Sequence, residues 1–211
     1  MSVPHSGKVF CIGFQKTGTS SVREALDQIG YRVCGVFGRD VPLEELRGTF
    51  VERGLAIAKD YDAVEDMPWP LMFRELDKAF PGSKFILTVR ETDRWYRSIA
   101  DHFGHHPYHL QQLTYGDDAP APVGHETRYR EVYDAHNEAV RAYFADRPND
   151  LLEFWLESGH GWGELADFLG RSDLPEGQFV HTNSQTQRMT IANRVRRKLI
   201  RMGVPLKTMD G

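Results

Sequence analysis

Along this chain, short runs of apolar residues alternate with amphipathic stretches. Five of the six residues from Val9 to Phe14 are apolar or aromatic, the pattern of a strand covered on both faces. Ser20, Ser21, Arg23, Glu24, Ala25 and Leu26 then open a helix. Residues 31–37 predict a second strand, and residues 41–53 a helix with Leu43, Leu46 and Phe50 on one stripe. A helix over 71–80 stops before Pro81-Gly82 and leads to a strand over 85–89. Helices follow at 93–103, capped by Thr92 or Asp93, and at 126–146. Between them, residues 104–124 hold three prolines and several histidines, which predicts a long loop or lid. A strand at 151–156 and a helix at 162–169 complete the pattern.

Strand and helix in alternation imply an α/β fold of three layers, a parallel sheet flanked by helices on both faces. With 211 residues, 40% hydrophobic and 27% charged, the chain fits a single domain over 1–211, large enough for a core and a cleft. There is no internal repeat, low-complexity tract or linker. A formal charge of −4 argues against a nucleic-acid partner, so an anionic ligand must be met by a local cluster. The two cysteines, Cys11 and Cys34, read as reduced thiols. No stretch approaches eighteen apolar residues and residues 1–7 lack a signal-peptide pattern. The expectation is a cytoplasmic protein without a membrane partner.

Chemistry concentrates at two strand ends. After the first strand, Gly13 and Gly18 bracket a short turn in which backbone N–H groups can approach an anion and glycine can reach positive φ. The helix that follows turns its positive end toward that turn. The spacing nearly fits the G-x-x-x-x-G-K-[ST] phosphate loop, except that the lysine lies inside the turn as Lys16 and Thr19 fills its usual place. At the second strand end stands Arg90, whose guanidinium offers a planar fork of donors, and Ser98 follows eight residues later. For Arg90 alone, an ion pair with Glu91 or Asp93 is an equal reading.

The loop Gly13-Phe14-Gln15-Lys16-Thr17-Gly18-Thr19-Ser20 and the Arg90/Ser98 pair resemble the sulfotransferase family that uses 3′-phosphoadenosine 5′-phosphosulfate, and more narrowly a bacterial-type branch with a Gly-Phe-x-Lys-Thr-Gly-Thr loop. The segments Tyr61-Asp62-Ala63-Val64-Glu65-Asp66-Met67-Pro68, His136-Asn137-Glu138-Ala139-Val140, Gly161-Trp162-Gly163-Glu164-Leu165 with Phe168-Leu169-Gly170, and Phe179-Val180-His181-Thr182-Asn183 are similar to this branch in the same order. The resemblance implies a fold like that of P-loop nucleoside triphosphate hydrolases. It also implies transfer of a sulfuryl group to a hydroxyl or amine of a small-molecule or glycan acceptor. Gln15, Lys16, Thr17, Gly18, Thr19 and Ser20 would hold the 5′-phosphate, Arg90 and Ser98 the 3′-phosphate, and Lys16 would stabilise the leaving charge. No metal is expected.

A base must collect the acceptor proton. Asp66, before the rigid turn Met67-Pro68-Trp69-Pro70, matches an acidic residue of that branch; Glu65, Asp60, His102, His105, His106 and His109 are the other candidates, and a turn-forming role for Asp66 is comparable. His136 and Asn137 read as structural. Trp95 and Trp155 suit core packing, while Trp69 and Trp162 follow turns and could line a pocket. A basic C-terminal segment over 185–211 carries Arg188, Arg194, Arg196, Arg197, Lys198 and Arg201, read foremost as a solvated basic helix, with a donor-covering lid or an anionic partner surface as the alternatives. Two other function classes stay open: a small-molecule kinase with an atypical phosphate loop, and a non-catalytic nucleotide-binding module.

Overall fold

Among the described residues, five short strands, all parallel, make one sheet in the order β2-β3-β1-β4-β5. They are β1 (Val9–Cys11), β2 (Val33–Cys34), β3 (Ala63–Val64), β4 (Lys84–Thr88) and β5 (Leu151–Phe154). The structure is a computed structural model that describes residues 7–175 and 177–180, all within one compact unit, residues 1–180. Among the described residues, seven α-helices connect and cover the strands: α1 (Thr19–Gln28), α2 (Leu43–Ala58), α3 (Phe73–Ala79), α4 (Thr92–Phe103), α5 (His109–Tyr115), α6 (Glu126–Phe144) and α7 (Trp162–Leu169). The basic segment 185–211 and the His181-Thr182-Asn183 part of the last resembling motif lie outside the described residues.

The period of two along a strand sends neighbouring side chains to opposite faces, and the central strand shows the consequence. Val9 and Cys11 pack with Val22, Ala25 and Leu26 of α1 and Trp162 and Leu165 of α7. Phe10 and Ile12 pack on the other face with Leu76 of α3 and Val140 and Phe144 of α6. All four are essentially without solvent contact, which is why the run reads as continuously apolar. A third cluster joins Phe14 and Met67 to Trp95 and Ile99 of α4, Leu110 and Tyr115 of α5, and Tyr129 and Tyr133 of α6. It includes residues just past the carboxyl ends of β1 and β3, so it forms the floor of whatever those ends present.

Strand order reverses about β1, with β3 and β2 on one side and β4 and β5 on the other. In open parallel sheets such a reversal leaves a crevice beyond the carboxyl ends of the strands. The loop 13–18 and Arg90 both follow strands at this point.

Several sequence expectations need adjustment. The strand expected over 31–37 pairs only at Val33–Cys34, and β3 is equally short. The expected lid at 104–124 contains a helix, α5, which buries Leu110, Gln111 and Tyr115 and packs against α2 and α6. Its short apolar face was masked by the flanking prolines. Neither Thr92 nor Asp93 caps α4: Glu91 does, its carboxylate accepting from the N–H groups of Asp93 and Arg94. Trp69 is fully buried and donates Nε1–H to the Gly35 carbonyl at 2.8 Å, whereas Trp155 is only partly buried.

Candidate functional site

The phosphate-type loop is fastened from below. Thr17 Oγ1 donates to the Phe14 carbonyl and meets Thr88 Oγ1, both at 2.5 Å, and Trp95 Nε1–H donates to the Gln15 carbonyl at 3.0 Å. Gly13 is needed for closeness: a Cβ there would lie 2.0 Å from Thr88 Oγ1 and 2.4 Å from the Thr88 carbonyl oxygen. It does not carry positive φ; Lys16 (φ 74°) and Gly18 (φ 110°) do. A Cβ on Gly18 would also meet Leu156 Cδ1 at 2.1 Å.

Gly18 is the N-cap of α1, with no side-chain cap and no acidic residue in the first turn. The first N–H groups of a helix lack an intrahelical acceptor, although that of Ser21 donates to the Gly18 carbonyl at 2.9 Å, and the helix dipole adds positive potential there. An oxyanion is the complementary ligand. Among the loop residues expected to bind it, Lys16, Gly18 and Ser20 are partly exposed and Thr19 is buried. The side chains of Gln15 and Thr17 turn inward, Gln15 Nε2 donating to Gln111 Oε1 at 3.3 Å. These two residues therefore have only backbone groups to offer on the open side.

Arg90 follows β4, the neighbour of β1. Its backbone is clamped by Tyr133, whose hydroxyl donates to the Arg90 carbonyl at 2.8 Å and accepts from its N–H at 3.0 Å; Tyr133 itself stacks on Trp95 with centroids 4.0 Å apart. The guanidinium sends Nη1 toward the Lys16 carbonyl at 3.5 Å and Nη2 to Glu157 Oε1 at 2.5 Å. Its Nε is buried with no hydrogen-bond partner among the described residues. The expected alternative partners are engaged elsewhere, Glu91 as the α4 cap and Asp93 with Arg130. Ser98 is half-buried on α4, one turn beyond Arg94, and Arg94 also reaches Glu157.

Glu65 and Asp66 come directly after β3, on the other side of β1. Both carboxyls are pushed above the ordinary carboxylate range by burial. For Glu65 the Asp66 charge adds to this, taking it to about 7 against the opposing pull of Thr19 and Arg23. For Asp66 the pull back comes from the Met67 N–H, Arg39, Lys16 and Arg23. Glu65 Oε1 lies 3.5 Å from Arg23 Nη1, and Asp66 Oδ1 accepts from the Met67 N–H at 2.7 Å. Asp66 carries positive φ, 70°. The electrostatic reach of Lys16 to Asp66 joins the loop to the carboxyl pair.

Of the remaining base candidates, His102, His105, His106 and Asp60 are exposed, and His109 Nε2 is bonded to the Gly38 carbonyl at 2.9 Å. His136 stacks on Phe14 with centroids 4.4 Å apart, bonds the Ile12 carbonyl at 2.8 Å, and is driven down to about 4 by burial, so it is a neutral strut beneath the loop. Sequence reasoning missed Arg23, Arg39, Gln111 and Glu157. Glu157 was within reach of it, since it stands just past the carboxyl end of a strand. Among the described residues no three His, Cys, Asp or Glu side chains group as a metal site, and no helix is long and apolar enough to cross a membrane.

Comparison with known proteins identifies the family. A family model described as "Sulfotransferase domain" matches residues 8–120 and 110–188. A curated protein of Aspergillus versicolor, "Ava biosynthesis cluster protein M", is 27% identical over 235 aligned positions, covering 90% of this chain and 87% of its own length. The loop after β1, the arginine after β4 and the parallel sheet that brings them together are thus parts of one fold, and the chain belongs to the sulfotransferase domain family.

Proposed function

We propose that this protein transfers a sulfuryl group from 3′-phosphoadenosine 5′-phosphosulfate to a hydroxyl or amine of a small-molecule acceptor in the cytoplasm. The observation that carries this reading is the approach of Arg90 Nη1 to the Lys16 carbonyl. It supports a reading in which two anion grips on adjacent strands take the two ends of one adenosine bisphosphate. The uncapped first turn of α1 and the unpartnered Nε of Arg90 fit phosphate oxygens. A relative named for a biosynthesis cluster is in keeping with a small metabolite as acceptor.

In the reaction, the acceptor oxygen or nitrogen forms a bond to sulfur while the bond from sulfur to the 5′-phosphate oxygen breaks. The electron pair of that bond stays on the phosphate oxygen. Lys16 and the first-turn N–H groups of α1 stabilise the charge there, and the protein otherwise acts by positioning. Asp66 takes the acceptor proton. Burial raises its basicity, while Lys16, Arg39 and Arg23 keep it ionisable. Arg90 and Ser98 hold the 3′-phosphate, and Thr19 and Ser20 the 5′-phosphate.

The test incubates the full chain with the donor and a panel of small hydroxylated and amino acceptors without magnesium. Release of adenosine 3′,5′-bisphosphate together with an acceptor heavier by one sulfuryl group supports the reading. Magnesium-dependent turnover of ATP would move the protein to the kinases. Tight binding of the bisphosphate with no turnover on any acceptor would leave a nucleotide-binding module.

A further inference from the structure

We propose that Glu157 sets the affinity of the donor site for a 3′-phosphate, as an internal anion that occupies Arg90 until that phosphate displaces it onto Arg94. The inference rests on the reading of Arg90 as the 3′-phosphate grip.

Glu157 lies in the short 3₁₀ turn Leu156–Ser158 directly after β5, and this turn touches both halves of the donor site. Leu156 Cδ1 fills the space beside Gly18 in the loop. Glu157 Oε1 holds Arg90 Nη2 at 2.5 Å, and Glu157 Oε2 holds Arg94 Nη1 at 3.0 Å. One carboxylate therefore bridges two guanidiniums of unequal setting: the Arg90 side chain is 26% exposed and that of Arg94 is 62% exposed. On Arg90 the fork is only partly used, because Nε is buried without a partner among the described residues. A single carboxylate oxygen at Nη2 leaves that N–H unmet, whereas a tetrahedral phosphate with three oxygens can take Nη2 and Nε together.

The bridge makes the exchange inexpensive. When phosphate arrives, Glu157 keeps its partner Arg94 and gives up only Arg90, so the carboxylate is never left without a cation. A nucleotide without a 3′-phosphate has nothing to put in place of Glu157 and leaves the bridge closed. The carboxylate thereby lowers the affinity of every 3′-phosphorylated ligand by the fraction of time that it holds Arg90. The same carboxylate repels any anion that fails to displace it.

The experiment measures binding of adenosine 3′,5′-bisphosphate and of adenosine 5′-phosphate to the full chain by calorimetry, for the wild type, Glu157→Gln, Glu157→Ala, Arg94→Ala, Arg90→Ala and the Glu157→Gln/Arg94→Ala pair. Glu157 is solvent-facing, and thermal denaturation of each variant checks that the fold is kept. With Glu157 removed, the bisphosphate binds about three- to fivefold tighter, the range set by an exposed ion pair, and both substitutions act in the same direction. Arg94→Ala weakens bisphosphate binding while Glu157 is present, because the carboxylate loses its second seat, and has no effect in the Glu157→Gln background. Weaker or unchanged bisphosphate binding by Glu157→Gln overturns the proposal, as does an Arg94→Ala loss of equal size in both backgrounds. If instead the wild type binds no bisphosphate, or Arg90→Ala binds it as well as the wild type does, the 3′-phosphate reading of Arg90 fails and takes this inference with it. Binding that needs Arg90 but ignores Glu157 removes this inference alone.

Discussion

Arg90 directs Nη1 at the carbonyl oxygen of Lys16 from 3.5 Å, so the two residues bridge the carboxyl ends of β1 and β4 while serving different ends of the proposed donor. Their variants should therefore fail differently. Arg90→Ala removes charge-assisted bonds to a phosphate that is bound throughout the cycle, and affinity for adenosine 3′,5′-bisphosphate should fall about 10- to 100-fold. Lys16→Ala removes a cation that matters most as charge develops on the leaving oxygen, so kcat should drop about 10²- to 10³-fold with a smaller change in nucleotide affinity. Equal losses of affinity in both variants would contradict the division of roles.

The carboxyl pair predicts a pH dependence with a defined sign. Asp66 acts only when ionised, and its pair with Glu65 gives up protons in coupled steps, so kcat/KM should rise with pH up to the neutral region, where Glu65 titrates at about 7. Glu65→Gln removes the neighbouring negative charge and should move the rising limb to lower pH; Asp66→Asn should abolish turnover while the bisphosphate still binds. Stability runs the other way. Folded Glu65 holds its proton above the ordinary value of 4.5, so its contribution is complete below that pH, declines as pH rises toward about 7, and is level beyond. Denaturant midpoints at pH 5 and pH 8 should differ less in Glu65→Gln than in the wild type.

Gly13→Ala tests the closeness of loop and sheet. The added Cβ meets the Thr88 carbonyl oxygen at 2.4 Å and its nitrogen at 2.7 Å, backbone atoms that no rotamer change can move. The expected cost is about 1–3 kcal/mol of overpacking or more, seen as a lower Tm, with donor binding impaired because Thr88 also anchors Thr17. Gly48→Ala on α2, where nothing lies within 4 Å, should instead raise stability by about 0.5–1 kcal/mol. A Gly13→Ala protein as stable as the wild type would mean that the loop does not press on β4 as described.

What could be read in the sequence was local. The run at Val9, the spacing from Gly13 to Ser20 and the position of Arg90 after an apolar stretch are contiguous signals, and they place the loop and the guanidinium at strand ends. Strands of two residues, β2 and β3, leave almost no period to detect, and α5 has too few apolar positions to stand out between prolines. The pairings made by Glu157 and Gln111 are beyond pattern reading for another reason. Their partners, Arg90 and Gln15, lie 67 and 96 residues away in sequence, and only sheet order and helix packing bring them together. Trp69 follows a turn yet is fully buried because its indole N–H finds the Gly35 carbonyl, a bond that the turn chemistry does not announce.

The amide pair under the loop can be tested by a double-mutant cycle. Gln15 and Gln111 are both buried and share one bond, Nε2–H of Gln15 to Oε1 of Gln111 at 3.3 Å, with Gln15 Oε1 and Gln111 Nε2 otherwise unpartnered among the described residues. Replacing either residue by leucine leaves the other amide buried with its whole hydrogen-bonding capacity unmet, at a cost of about 1–3 kcal/mol. Replacing both removes the unmet groups and should restore at least half of that loss, a coupling of the kind expected for residues in contact. Urea denaturation of the two single variants and the double variant reads this directly. If the double variant loses the sum of the single losses, the two amides do not act as a pair. If it recovers stability but not donor affinity, the pair's contribution lies in holding Lys16 and its neighbours in place over the end of β1, because Gln15 carries that loop and α5 carries its partner.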